Sequence, residues 1–182
     1  MTAEIVWTFD GTDGHCQIMA ALVRRQIESL ERVLPGEFSD PLQQLAAEIS
    51  SEAEAVVEAN PMLGRLFPPA LQDEEQASQF RRDAMVQQAR SRLAAARVVL
   101  NAVADVSDCS VDVRSRDIDS WVMTLAGLRA QWNVELTGSA ERLAQPTHRD
   151  MLQNPTAAAI TDWLGYLIED ALAARYRYEE QP

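Results

Sequence analysis

Along residues 76–104 the apolar positions fall on two lines rather than one. Val86, Ala89, Leu93, Ala96, Leu100 and Val103 recur at alternating spacings of three and four, while Phe80, Ala84, Ala95, Val98 and Ala102 line nearly the opposite side. A surface helix carries one apolar stripe, so two stripes predict a helix buried from two sides. Asp73 is a suitable N-cap, Gln76 stands three residues on as in a capping box, and Glu74 and Glu75 occupy the first turn, where the helix dipole favours negative charge. With no Gly or Pro until well past Asp105, the spacing predicts one central helix over roughly 73–104. Just before it, Pro61 opens a short helical turn through Leu66, and Pro68 and Pro69 stop it.

The remaining periodicities arrange themselves around that helix. Ile5, Trp7 and Phe9 alternate with Val6 and Thr8, the mark of a half-buried strand, and the turn dipeptides Asp10-Gly11 and Asp13-Gly14 predict a hairpin returning through His15–Ile18. Two strands alone are marginal in water, so a third strand or a helix must support them, and the only other strand-like piece is Cys109–Val113. In that arrangement Cys16 and Cys109 lie on neighbouring strands, without a disulfide.

Met19, Leu22, Val23, Ile27, Leu30 and Val33 share one helical face, ended by Pro35-Gly36. Leu42, Leu45, Ala46, Ile49, Ala53, Val56 and Val57 predict a second helix after the cap Asp40-Pro41, closed by Asn60-Pro61. Ser115 can cap a helix to about Leu136 with Ile118, Trp121, Val122, Leu125, Leu128, Trp132 and Leu136 inward. Asn154-Pro155 starts the last one, with Ile160, Trp163, Leu164, Leu167, Ile168, Ala171 and Leu172 inward and a frayed tail from Tyr176.

The reading is therefore mainly α: a single-domain helical bundle, 1–182, around one long central helix, with a small N-terminal β-hairpin or three-stranded sheet. Its parts are a hairpin at 4–18, two helices over 19–59, the Pro-rich turn and central helix at 60–104, a helix at 115–136 and a C-terminal helix at 155–176.

Composition narrows the function more than it names it. A chain of 182 residues with 47% apolar content can bury a real core. No apolar run is long enough to span a bilayer, and the N-terminus lacks a signal-peptide pattern, so a cytoplasmic protein without membrane contact is expected. The net charge of −12 argues against nucleic acid as the main partner. All 16 basic residues are arginine, which excludes a P-loop, Schiff-base or catalytic lysine.

Catalytic groupings are missing too. His15 and His148 stand far apart with no second ligand at helical spacing, so no metal site is expected. Cys16 and Cys109 have no basic neighbour to lower a thiol pKa. No catalytic residue, metal or cofactor is assigned, and the chain is read as a non-enzyme.

What remains is a set of arginines and aromatics: Arg65, Phe67, Arg81, Arg82, Trp121, Arg129, Trp132 and Trp163. Both types are enriched at binding hot spots. Arg82 and Arg129 fall on lines otherwise made of Leu, Val, Ala and Trp, where a lone guanidinium is prohibitive. They are expected to form buried ion pairs with Asp162, Glu169, Asp170, Glu74 or Glu75, or else to bind a partner. Arg65, Phe67, Trp121 and Trp163 complete the candidate partner-binding set.

Three motifs carry a resemblance covering nearly the whole chain: RLFPPA (Arg65–Ala70) followed by Phe80-Arg81-Arg82; Trp121 with Leu125, Leu128 and Arg129; and Trp163-Leu164 with Leu167. In this order and spacing they resemble an actinobacterial family, domain of unknown function 2017. One departure stands out: the family pattern has an Asn-Asp pair where this chain has Ala126-Gly127. The resemblance implies a small, largely helical cytoplasmic protein without established activity or cofactor, its gene often beside that of the Clp protease adaptor ClpS. The expected function is thus a non-enzymatic regulatory or protein-interaction module linked to Clp-dependent proteolysis, its partner a protein of that system or a second copy of itself. The alternatives are a helix-turn-helix transcriptional regulator and a small-molecule binding domain with a polar cavity near Arg82 and Arg129.

Overall fold

The computed structural model describes residues 4–36, 39–49, 52–67, 76–104, 106, 110–140 and 146–180. Its elements in chain order are β1 (Ile5–Phe9), α1 (His15–Glu31), α2 (Pro41–Ile49), α3 (Ala53–Glu58), α4 (Pro61–Gly64), α5 (Gln76–Val103), β2 (Val111–Arg114), α6 (Ile118–Thr137), α7 (His148–Gln153) and α8 (Pro155–Glu179). The fold is mainly α, with one small antiparallel sheet.

The central helix is α5, 28 residues long. Its first stripe is buried at Val86, Ala89, Leu93, Ala96 and Val103. On the other side Ala95 and Val99 are buried while Ala84, Val98 and Ala102 are partly covered. The helix divides the apolar interior lengthwise. Its N-terminal half packs Val86, Ala89 and Leu93 with Leu30, Val33, Val57, Leu63, Leu66 and Phe67. Its C-terminal half packs Ala96, Val99 and Val103 with Trp7, Phe9, Met19, Val23, Trp121, Leu125 and Leu164. The expected cap Asp73 lies outside the described residues, as do the side chains of Phe80, Arg81 and Arg82.

The sheet corrects the hairpin. Residues His15–Ile18 form the first turn of α1, not a strand. Asp13 and Gly14 adopt left-handed φ of 54° and 80°, and Ile18 N–H then donates to Gly14 O at 3.0 Å, starting the helix. Cys16, Met19, Ala20 and Val23 are buried at helical spacing, so Cys16 sits in a helix; Cys109 lies outside the described residues. The partner of β1 is β2, antiparallel, with Trp7 opposite Val113 and Phe9 opposite Val111 and an irregularity between Ile5 and Trp7. Among the described residues these two strands make the whole sheet. Of the two expected supports, a third strand or a helix, the structure shows the helix: Trp7 Nε1 donates to Asp170 Oδ2 on α8 at 2.8 Å.

Three further boundaries move. The helix expected over 41–59 is two, α2 and α3; Leu42, assigned inward at its start, is 75% exposed, and Ala53 and Val57 of α3 are buried. Asn60 caps α4 through its side chain, which accepts from Met62 N–H at 3.1 Å with Pro61 at the first helical position. The tail expected to fray from Tyr176 stays helical to Glu179, where Arg175 meets Glu179 at 2.8 Å and also reaches Asp119 on α6. Leu172, assigned inward, is 43% exposed. No described helix is long and apolar enough to cross a membrane.

Candidate functional site

Trp121 is core. It is 1% exposed, its ring meets Trp7 edge-on at 5.4 Å and Phe9 at 5.4 Å, and almost none of its surface is offered to a partner. Trp163 extends this aromatic cluster to its rim, 6.4 Å from Phe9 and 5.3 Å from the His15 ring, half-buried. Phe67 is buried in the other half of the core, with the Arg92 guanidinium 6.0 Å from its ring centre. Arg65 is half-buried and donates through Nη1 to Ala140 O at 3.3 Å, tying the turn after α4 to the end of α6. Arg82 has no described side chain.

Arg129 is not buried as expected: it is exposed, and among the described residues no carboxylate pairs with it, the expected partners Glu74 and Glu75 lying outside them. Asp170, one of the expected partners, takes the Trp7 indole N–H instead. The guanidinium lies across Gly165 of α8, where a methyl on that glycine would stand 3.2 Å from Arg129 Nε. A glycine on the facing helix thus gives the arginine a flat bed and lets its head reach solvent.

The face on which Arg129 lies is built by α6 and α8 together. Asp119 meets Arg175 and Arg129 meets Gly165, so the two helices run antiparallel in a fixed register. That register sets Leu172 opposite the turn holding Val122. Met123, Leu172 and Tyr176 are 40%, 43% and 62% exposed, Ala126 is exposed and Val122 is half covered. The result is an apolar strip between the two helices, ending at Arg129, which has no carboxylate partner among the described residues. Aromatic, Met and Arg side chains are the types enriched where proteins dock.

A second polar feature is absent from the sequence expectations. On α5, Arg92 sits between buried Ala89 and Ala96 on the line that continues to Val99, half-buried, and burial pushes its pKa down. On α1, Gln26 interrupts the line Met19, Val23, Leu30 and is itself buried. On α6, Gly127 leaves room for both: a methyl there would stand 2.6 Å from Gln26 Nε2 and 3.7 Å from Arg92 Nη1. The available signal is a polar residue inside each apolar line, but Arg82 and Arg129 border longer aliphatic runs and stand out more strongly in the sequence.

Among the described residues no three His, Cys, Asp or Glu side chains group as metal ligands. A family model described as "Domain of unknown function (DUF2017)" matches residues 3–175. No curated protein and no solved structure matches the chain.

Proposed function

The chain belongs to the DUF2017 family, and on that premise we propose that it is a non-enzymatic protein-interaction module that docks a partner through the outer face of α6 and α8. One observation carries the reading: Arg129, with no carboxylate partner among the described residues, shares a face with half-covered Val122 and the exposed Met123, Ala126, Leu172 and Tyr176. The apolar strip supplies area and the arginine supplies orientation, since its planar fork can take a carboxylate or a carbonyl pair from the partner. We take the role to be regulatory and cytoplasmic, with the partner drawn from Clp-dependent proteolysis. That finer reading rests on the gene neighbourhood implied by the motifs at Arg65–Ala70, Trp121–Arg129 and Trp163–Leu167. The transcription-factor alternative gains no observation: Arg97, Arg116 and Arg175 are each neutralised by a neighbouring acid.

The test is affinity capture from cells with quantitative mass spectrometry, using wild type and the double variant Arg129→Glu with Leu172→Glu. The wild type is expected to enrich a Clp component or substrate, and the variant, equally well folded by circular dichroism, to lose at least about tenfold of it. A partner retained equally by both chains would remove the α6/α8 face from the proposal. Capture with no Clp component or substrate would remove the Clp link.

A further inference from the structure

The outer face of α6 and α8 has two unlike ends, and both lie on the seam where the helices meet. At one end Arg129 of α6 is exposed and crosses Gly165 of α8. At the other end Asp119 of α6 meets Arg175 of α8, and Arg175 also meets Glu179 at 2.8 Å. Two acids around one arginine leave that end with an acid in excess. The Asp119 side chain is 69% exposed despite its pair, so its carboxylate has room for a second guanidinium. Asp119 and Arg129 stand about 15 Å apart along the axis of α6. Between them lie half-covered Val122 and the exposed Met123, Ala126 and Leu172.

Cation, apolar middle, anion: turned end for end, this order is its own complement. A two-fold contact sets the same patch on both copies, so each pairing across it occurs twice. Let the axis lie across the strip, midway between Arg129 and Asp119. Then α6 of one copy runs antiparallel over α6 of the other. Met123, Ala126 and Leu172 cover their counterparts, and an Arg129–Asp119 pair closes each end. We propose that a second copy of this chain covers the docking face when no other protein occupies it. The inference rests on the reading of α6 and α8 as a docking face and names its resting occupant. So narrow a strip fits a weak, reversible contact. A protein that binds only the free chain then competes with the second copy, so dilution uncovers the face and accumulation hides it.

Sedimentation equilibrium on the full chain tests the contact. The wild type is expected to dimerise reversibly at concentrations on the order of 10–100 µM. Arg129→Asp sets acid against acid at both ends, and Asp119→Arg sets arginine against arginine. Both positions are exposed, so both variants should fold, as circular dichroism can verify. Each alone should raise the dimer Kd at least about tenfold. Mixed in equal amounts they should recover it, as a heterodimer seen by native mass spectrometry, because each chain then meets the opposite charge at both ends. The proposal is overturned if the wild type stays monomeric up to about 1 mM, if either variant alone dimerises as well as wild type, or if the mixture does not associate. A monomeric wild type that still captures its protein partner, with the Arg129→Glu, Leu172→Glu variant losing it, would overturn the self-contact and keep the docking face. A dimer that passes the charge exchange, with capture undiminished in that variant, would support the self-contact and remove the docking role.

Discussion

Two turns of α6 separate Trp121, enclosed by Trp7 and Phe9, from Arg129, which lies on the surface over Gly165. Their substitutions should therefore separate as widely. Trp121→Ala empties a large buried volume and is expected to cost about 3–5 kcal/mol. Arg129→Ala removes an exposed side chain with no described carboxylate partner and should fall within about 0.5 kcal/mol of wild type. Urea denaturation of the two variants checks both; a loss of several kcal/mol at Arg129 would mean that its stem on Gly165 is a major packing contact. The burial of Trp121 was legible from its spacing with Ile118, Leu125 and Leu128. The exposure of Arg129 was not, because it stands one turn after Leu125 and one residue from Leu128, at the rim of a broad apolar face. Whether a rim position is covered depends on the facing helix, and the sequence of α6 says nothing about Gly165.

At the scale of elements, caps were easier to read than the element to which a turn leads. Asn154 ends α7 and starts α8, its Oδ1 accepting from Ala157 N–H at 3.3 Å, with Pro155 next. Asn154→Ala is expected to cost about 1 kcal/mol, as side-chain caps do, read as a lowered midpoint in chemical denaturation with an unchanged slope. An unchanged midpoint would place the start of α8 under the control of Pro155 and packing alone. The pair Asp10-Gly11 and Asp13-Gly14 announced a reversal correctly, since Asp13 and Gly14 take left-handed φ. It did not announce that a helix comes next, because left-handed residues serve hairpins and helix starts alike. The long α5 was legible for the opposite reason: many residues repeat one signal. The end of α8 was misread because its order comes from ion pairs, Arg175 with Glu179 and Asp119, that only the packed helices reveal.

In the whole molecule, the sheet is where distant parts of the chain depend on one another. Thr8 and Asp112 face each other across 104 residues, and Trp7 reaches Asp170 across 163. Asp170→Ala would strand the indole N–H of a side chain only 5% exposed, an expected loss of about 1–3 kcal/mol. Because β1 and β2 pair only with each other among the described residues, their amides should lose hydrogen-exchange protection together in that variant, measured by mass spectrometry. Loss confined to β1 would show that β2 is secured independently of its partner. The sequence could show that residues 5–9 alternate, but no local pattern tells a strand whether its partner is ten residues away or a hundred. The same distance sets a timetable. On the ribosome, β1 emerges with Trp7 and Phe9 uncovered, and neither the strand that pairs with it nor the helix that backs it has yet been made. Pairing that waits for residues 111–114, and then for Asp170, has a long loop to close and is slow. Through most of synthesis the aromatic strand is an unpaired edge, so the interval in which this protein is most exposed to aggregation or to chaperones is set by how quickly its remaining residues are translated.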